Sequence, residues 1–103
     1  MQGKPVAKEI TVTLAAYKYY PDKIMVAKGD LVRLKITSNS DGLGSGIGFK
    51  IEGQAVDVVL KKGQTKSVEF TPDRTGTYVI YCGPPCGPTR SGLKLGALVV
   101  AGD

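Results

Sequence analysis

An all-β fold of about seven or eight short strands is what this 103-residue sequence predicts, on three observations. Apolar residues recur at every second position in short runs, each bounded by glycine, proline, asparagine or aspartate. No helical apolar spacing persists over the roughly ten residues that a helix needs. The composition is 42% hydrophobic and 22% charged with 14 glycines and 6 prolines, which is globular but rich in turn formers. One domain spanning residues 1–103 is expected, because splitting the chain would leave two cores too small to be stable.

Residues 9–14, EITVTL, set Ile10, Val12 and Leu14 against Thr11 and Thr13, the period of a half-buried strand. Pro21-Asp22 marks a turn, Ile24 and Val26 a short strand, and Lys28-Gly29-Asp30 a second turn. In LVRLKITS the alternation is cleanest, with Val32, Leu34 and Ile36 on one face and Arg33 and Lys35 on the other. Residues 38–48, SNSDGLGSGIG, read as a mobile loop, since their small polar side chains compete for backbone hydrogen bonds. Phe49 and Ile51 restart the alternation, and AVDVVL follows as a strand or irregular edge. Val68 and Phe70 point inward from TKSVEF, TPDRTG turns the chain, and TYVIYC places Tyr78, Ile80 and Cys82 on one face. GALVV closes the order as a buried strand. The segments together predict two packed antiparallel sheets, a sandwich or flattened barrel with its core between them.

Charge and missing residue types narrow the function. The net charge of +5 arises from 14 basic and 9 acidic residues that are dispersed, Lys61, Lys62 and Lys66 being the tightest group. With the aromatics on strand segments rather than among basic residues, this is a solvated face and not a nucleic-acid groove. It is suited to steering an acidic protein. No apolar stretch is long enough to span a bilayer, so the chain itself is not expected to insert into a membrane. MQGKPVAKEI lacks the apolar region of a signal peptide, so a place outside the cytoplasm implies a leader or anchor beyond this sequence. The chain has no histidine, which removes imidazole as ligand, base and triad member. Asp41, Glu52 and Asp57 are scattered, and no catalytic residue is expected. Of Tyr17, Tyr19 and Tyr20, one or two pack inward with hydroxyls at the sheet edge, and Met25 is a packing thioether.

The chemistry-bearing stretch is YCGPPCGPTRSGL, residues 81–93, which holds both cysteines. The pair admits a disulfide, two reduced thiols, or a soft metal such as copper(I) held between thiolates. In YKYYPDKIMVAKGDLVRLKITSNSD, GFKIEG, VEFTPDRTGTYVIYCGPPCG and LGALVV the chain resembles the cupredoxins, most closely the copper (CuA) domains of cytochrome c oxidase subunit II and nitrous-oxide reductase. The resemblance implies a Greek-key β-sandwich or barrel and a dinuclear copper loop of the pattern C-x-E-x-C-G-x-x-H-x-x-M. Cys82 and Cys86 match its bridging cysteines, but Pro84 stands where a residue lends its carbonyl, Arg90 where the histidine stands and Leu93 where the methionine stands. Ile47, before Gly48-Phe49, takes the place of the other histidine. Arg90 is read either as an exposed loop residue or as a charge anchor facing an acidic partner or a carboxylate within the fold; Ile47 and Leu93 are read as apolar filling of the vacated space.

The resemblance therefore implies a vestigial metal site, with no cofactor expected, copper as the one candidate, and a structural or protein-binding role. The partner it implies is a membrane oxidase subunit or an acidic redox protein, and the location is the periplasm or outer face of a membrane. The alternative is electron transfer or copper handling by Cys82 and Cys86 with ligands from another chain.

Overall fold

The computed structural model describes residues 8–15, 18–42, 44, 46–82 and 94–102. Nine strands and no helix occur among them: β1 (Lys8–Ala15), β2 (Lys18–Tyr20), β3 (Lys23–Ala27), β4 (Val32–Ser38), β5 (Ile47–Ile51), β6 (Val56–Leu60), β7 (Thr65–Phe70), β8 (Gly76–Tyr81) and β9 (Lys94–Ala101). They form a four-stranded sheet in the order β2-β1-β4-β7 and a five-stranded sheet in the order β3-β9-β8-β5-β6.

The period-two pattern decides which side of each strand is buried. Val12 and Leu14 of β1, Val32, Leu34 and Ile36 of β4, and Phe70 of β7 turn one face of the first sheet inward. Ile24 and Val26 of β3, Phe49 and Ile51 of β5, Ile80 of β8, and Leu98 and Val100 of β9 do so from the second. Removing each such side chain from water contributes about 1.5 to 3 kcal/mol, which is what holds the two layers together. The outward positions of the first sheet are polar, and one row across three strands is ionic: Arg33 pairs with Glu69 at 2.7 Å and with Glu9 at 3.7 Å.

Three expectations are corrected. Each sheet is mixed rather than antiparallel, because β1 pairs parallel with β4 (Lys8 opposite Val32) and β3 parallel with β9 (Lys23 opposite Ala97). Alternation along a strand records which face is buried and not which direction its neighbour runs. Met25 is 58% exposed, since it stands between the inward residues Ile24 and Val26 on an edge strand. The loop expected over 38–48 is shorter at both ends, since Ser38 belongs to β4 and Ile47 begins β5, and its described residues are tied by hydrogen bonds. Asp41 accepts backbone N–H groups from Gly44 and Gly46 at 2.9 Å, and its carboxylate accepts that of Lys62 at 2.7 Å. Buried Ser38 donates its hydroxyl to the Ser40 carbonyl at 2.7 Å.

The ninth strand is β2, a three-residue segment paired with the end of β1 through Thr13–Tyr20 and Ala15–Lys18. It leads into β3, where the chain crosses from one sheet to the other, and the Tyr20–Pro21 peptide on the way is cis. That crossing needs Gly96. A Cβ on Gly96 would lie 2.4 Å from the Asp22 carbonyl oxygen, which accepts the Ala97 N–H at 2.8 Å.

Candidate functional site

Cys82 follows the last residue of β8 and is 0% exposed. Strand β8 lies between β9 and β5, and its pairing with β5 through Lys50–Tyr81 and Ile51–Ile80 brings the start of β5 toward the cysteine. The Gly48 N–H donates to Cys82 Sγ at 3.3 Å. Ile47, one residue earlier and also 0% exposed, thus stands one peptide unit from the sulfur. Two of the residues singled out in the sequence are therefore brought together. Pro84, Cys86, Arg90 and Leu93 lie outside the described residues.

Ile47 is positioned by the loop before it. Gly42 and Gly46 form a β-bridge, and Gly46 adopts a φ of 99° that favours glycine. A Cβ on Gly46 would stand 2.8 Å from the Leu60 carbonyl oxygen, so only glycine lets β5 start this close to the end of β6. Ile47 then pairs with Leu60, and both are fully buried.

The far side of Gly48 carries a contact that the sequence pattern does not indicate. Tyr19 of β2 is 2% exposed, and its hydroxyl donates to the Gly48 carbonyl across the gap between the sheets. Its ring packs on Phe49 with centroids 5.3 Å apart and planes tilted by 52°. Burial disfavours the phenolate, so the Tyr19 pKa is raised far above that of an exposed tyrosine. Of the three neighbouring tyrosines, Tyr19 points inward, Tyr20 is 54% exposed, and Tyr17 lies outside the described residues. The hydroxyl expected at a sheet edge instead spans the layers, a difference that strand parity does not encode.

Gly48 is thereby held from both sides, by Tyr19 at its carbonyl and by Cys82 at its N–H. Beside this clamp, Lys50 lies 5.6 Å from the Tyr81 ring centroid and 3.8 Å from the Asp57 carboxylate. Among the described residues there is no group of three or more histidine, cysteine, aspartate or glutamate side chains placed to hold a metal ion, and no free cysteine. The described part of the site is thus one buried sulfur in an apolar and aromatic setting, with a backbone N–H aimed at it.

A family model for the cupredoxin-like domain matches residues 2–93. Two curated relatives, both cytochrome c oxidase subunit 2 from Thermus thermophilus, are each 32% identical over 100 residues. The match takes in 97% of this chain, which spans 70% of the first relative and 56% of the second. Among solved structures, a copper binding protein in its apo form superposes with a TM-score of 0.70 at 24% identity, covering 97% of this chain and 93% of that one. The periplasmic domain of cytochrome oxidase subunit II of Bradyrhizobium japonicum superposes with a TM-score of 0.71 at 17% identity, covering 100% and 89%. At these identities the structural matches establish the fold, and the 32% identity to subunit 2 establishes the kinship. The chain belongs to the cupredoxin-like family and is a relative of cytochrome c oxidase subunit 2.

Proposed function

We propose that this chain is a subunit II-like module whose two-copper centre has been lost and whose role is structural or protein-binding. The observation that carries the reading is Ile47. It is fully buried and precedes Gly48, whose N–H donates to Cys82 Sγ, at the place where the resemblance calls for a histidine. A dinuclear copper centre needs a nitrogen donor on each metal besides the bridging sulfurs. This chain contains no histidine anywhere, and neither isoleucine nor leucine donates an electron pair. Arg90 offers a fixed cation, which favours a thiolate but repels an added metal ion. The residues present do not fit that group.

In this reading Cys82 and Cys86, the two cysteines of the chain, are joined as a disulfide, in keeping with the absence of a free cysteine among the described residues. Pro84 and Pro85 between them restrict the segment and reduce the entropy lost on closing it. The proposed setting follows from the relatives: the module sits outside the cytoplasm against a membrane oxidase, a partner suggested by the subunit 2 relatives.

Titration of the reduced protein with copper(I) and copper(II), followed by visible and electron-spin spectra, tests the proposal. The expected result is no intense thiolate-to-copper band and no mixed-valence signal. Two coppers bound per chain with such a band would establish the competing reading, copper handling or electron transfer through Cys82 and Cys86.

A further inference from the structure

Resting on the protein-binding reading above, we propose that the end of the sandwich around Cys82 is a docking surface for a carboxylate-rich protein. Four parts of the chain meet at that end. They are the end of β1 at Ala15, the described residues of 39–46, the turn from Lys61 to Gln64, and Cys82 at the end of β8. Pairing registers put them together: Leu14 stands opposite Ser38, Ala15 opposite Lys18, and Ile47 opposite Leu60.

Among the described residues, the exposed charges at this end are nearly all of one sign. Lys18, Lys61 and Lys62 are exposed, and the acid among the described residues there is Asp41. Asp41 is occupied, since its carboxylate accepts the Lys62 backbone N–H at 2.7 Å. The Lys61 N–H is in turn accepted by the Gln64 side chain at 2.7 Å, so the backbone presenting both lysines is pinned while their ammonium groups face water. Among the described residues no ion pair involves Lys18, Lys61 or Lys62. At the opposite end, Lys28 and Arg74 are interspersed with Asp30, Glu52 and Asp73, so the fields cancel there.

The spacing suits one partner. Lys18 lies on β2 and the Lys61–Lys62 turn leads into β7, the two edges of the four-stranded sheet. Three interstrand intervals of about 4.8 Å separate those edges by about 14 Å. That is more than one Debye length in physiological salt but well within one at low ionic strength, so the ammonium groups act on an approaching surface as one patch when salt is low. It also fits within the roughly 800 Å² that one partner contributes to a standard interface.

The test measures binding of the purified protein to poly-L-glutamate, in chelator-treated buffer, at low and moderate salt. Wild-type binding is expected to weaken as salt rises. The variant K18E/K61E/K62E is expected to bind about tenfold more weakly, while K23E/K28E/R74E, with the same change in net charge, loses less than about threefold. K18Q/K61Q/K62Q, which removes charge without adding the opposite sign, should fall between. Equal losses in the two reversal variants overturn the proposal, because net charge and not location would then govern binding. Tighter binding to phosphatidylglycerol vesicles than to poly-L-glutamate overturns it in favour of a lipid surface. Because the measurement is made without copper, recovery of a copper pair would defeat the lost-metal reading and leave this result standing.

Discussion

Replacing Tyr19 by phenylalanine removes one oxygen and nothing else from the contact that ties the sheets together beside Cys82. The ring stays on Phe49, but the buried Gly48 carbonyl loses its donor from β2. Leaving a buried acceptor without that partner costs about 1 to 3 kcal/mol, and for a domain of this size each kcal/mol lowers the melting temperature by about 4 to 8 °C. A second signature separates this from general damage. The folded protein holds the Tyr19 proton well above the ordinary tyrosine value of 10.0, whereas the unfolded chain releases it there. Between those two values the folded state binds one more proton, so stability falls with rising pH by about 1.4 kcal/mol per unit. The stabilisation is complete below pH 10 and drains away above it. Y19F lacks this proton, so the stability gap between the two proteins should narrow by about 1.4 kcal/mol between pH 9 and pH 11. Urea unfolding followed by circular dichroism at pH 7, 9, 10 and 11 measures it. Equal stabilities at pH 7, or a gap that stays constant to pH 11, refute the assignment of Tyr19 as a buried bolt.

Other outcomes follow from the same structure. Reducing the proposed Cys82–Cys86 disulfide should raise the intact mass by two hydrogens and lower stability by about 2 kcal/mol, as expected for closing so short a loop; unchanged mass after dithiothreitol rules the bond out. G96A sets a methyl group 2.4 Å from the Asp22 carbonyl oxygen, which is backbone and cannot swing aside. A loss of about 3 kcal/mol or more is expected in thermal melts, against about 1 to 2 kcal/mol for alanine at Gly29, where the positive φ is strained but the space is open. Finally, I47H/R90H/L93M refills the three side-chain positions that the resemblance marks as vacated. After reduction and copper addition it should show the thiolate-to-copper absorption that the proposal denies to the parent, and it should be less stable than the parent without metal, because an imidazole at position 47 would be buried in place of the fully buried Ile47 side chain.

Much of the architecture can be read along the chain. The alternation of Val32, Leu34 and Ile36 with Arg33 and Lys35 specifies a half-buried strand, and β4 spans those residues. Turn residues at Lys28–Asp30 mark a reversal, where the Ala27 N–H is accepted by the Asp30 carboxylate at 2.9 Å. The absence of histidine is likewise a property of the sequence and bears directly on what the site can ligate. Strand direction is not legible in this way, and neither is the three-residue β2, whose KYY is too short to display a period. Which tyrosine turns inward also escapes, since three of them lie within four positions and only the pairing of β2 with β1 sets their parity.

The sequence by itself determined that this is a β-sandwich with two cysteines and no nitrogen donor of the imidazole kind. Local period, turn chemistry and residue identity are properties of neighbours along the chain, and they survive without a fold. Only the tertiary structure decided that Tyr19, Gly48 and Cys82 form one connected line through the interior, and that Lys18 shares an end with Lys61 and Lys62. Those juxtapositions join residues about 30 or more positions apart, and they exist because burying the apolar faces of two sheets leaves few ways to stack them.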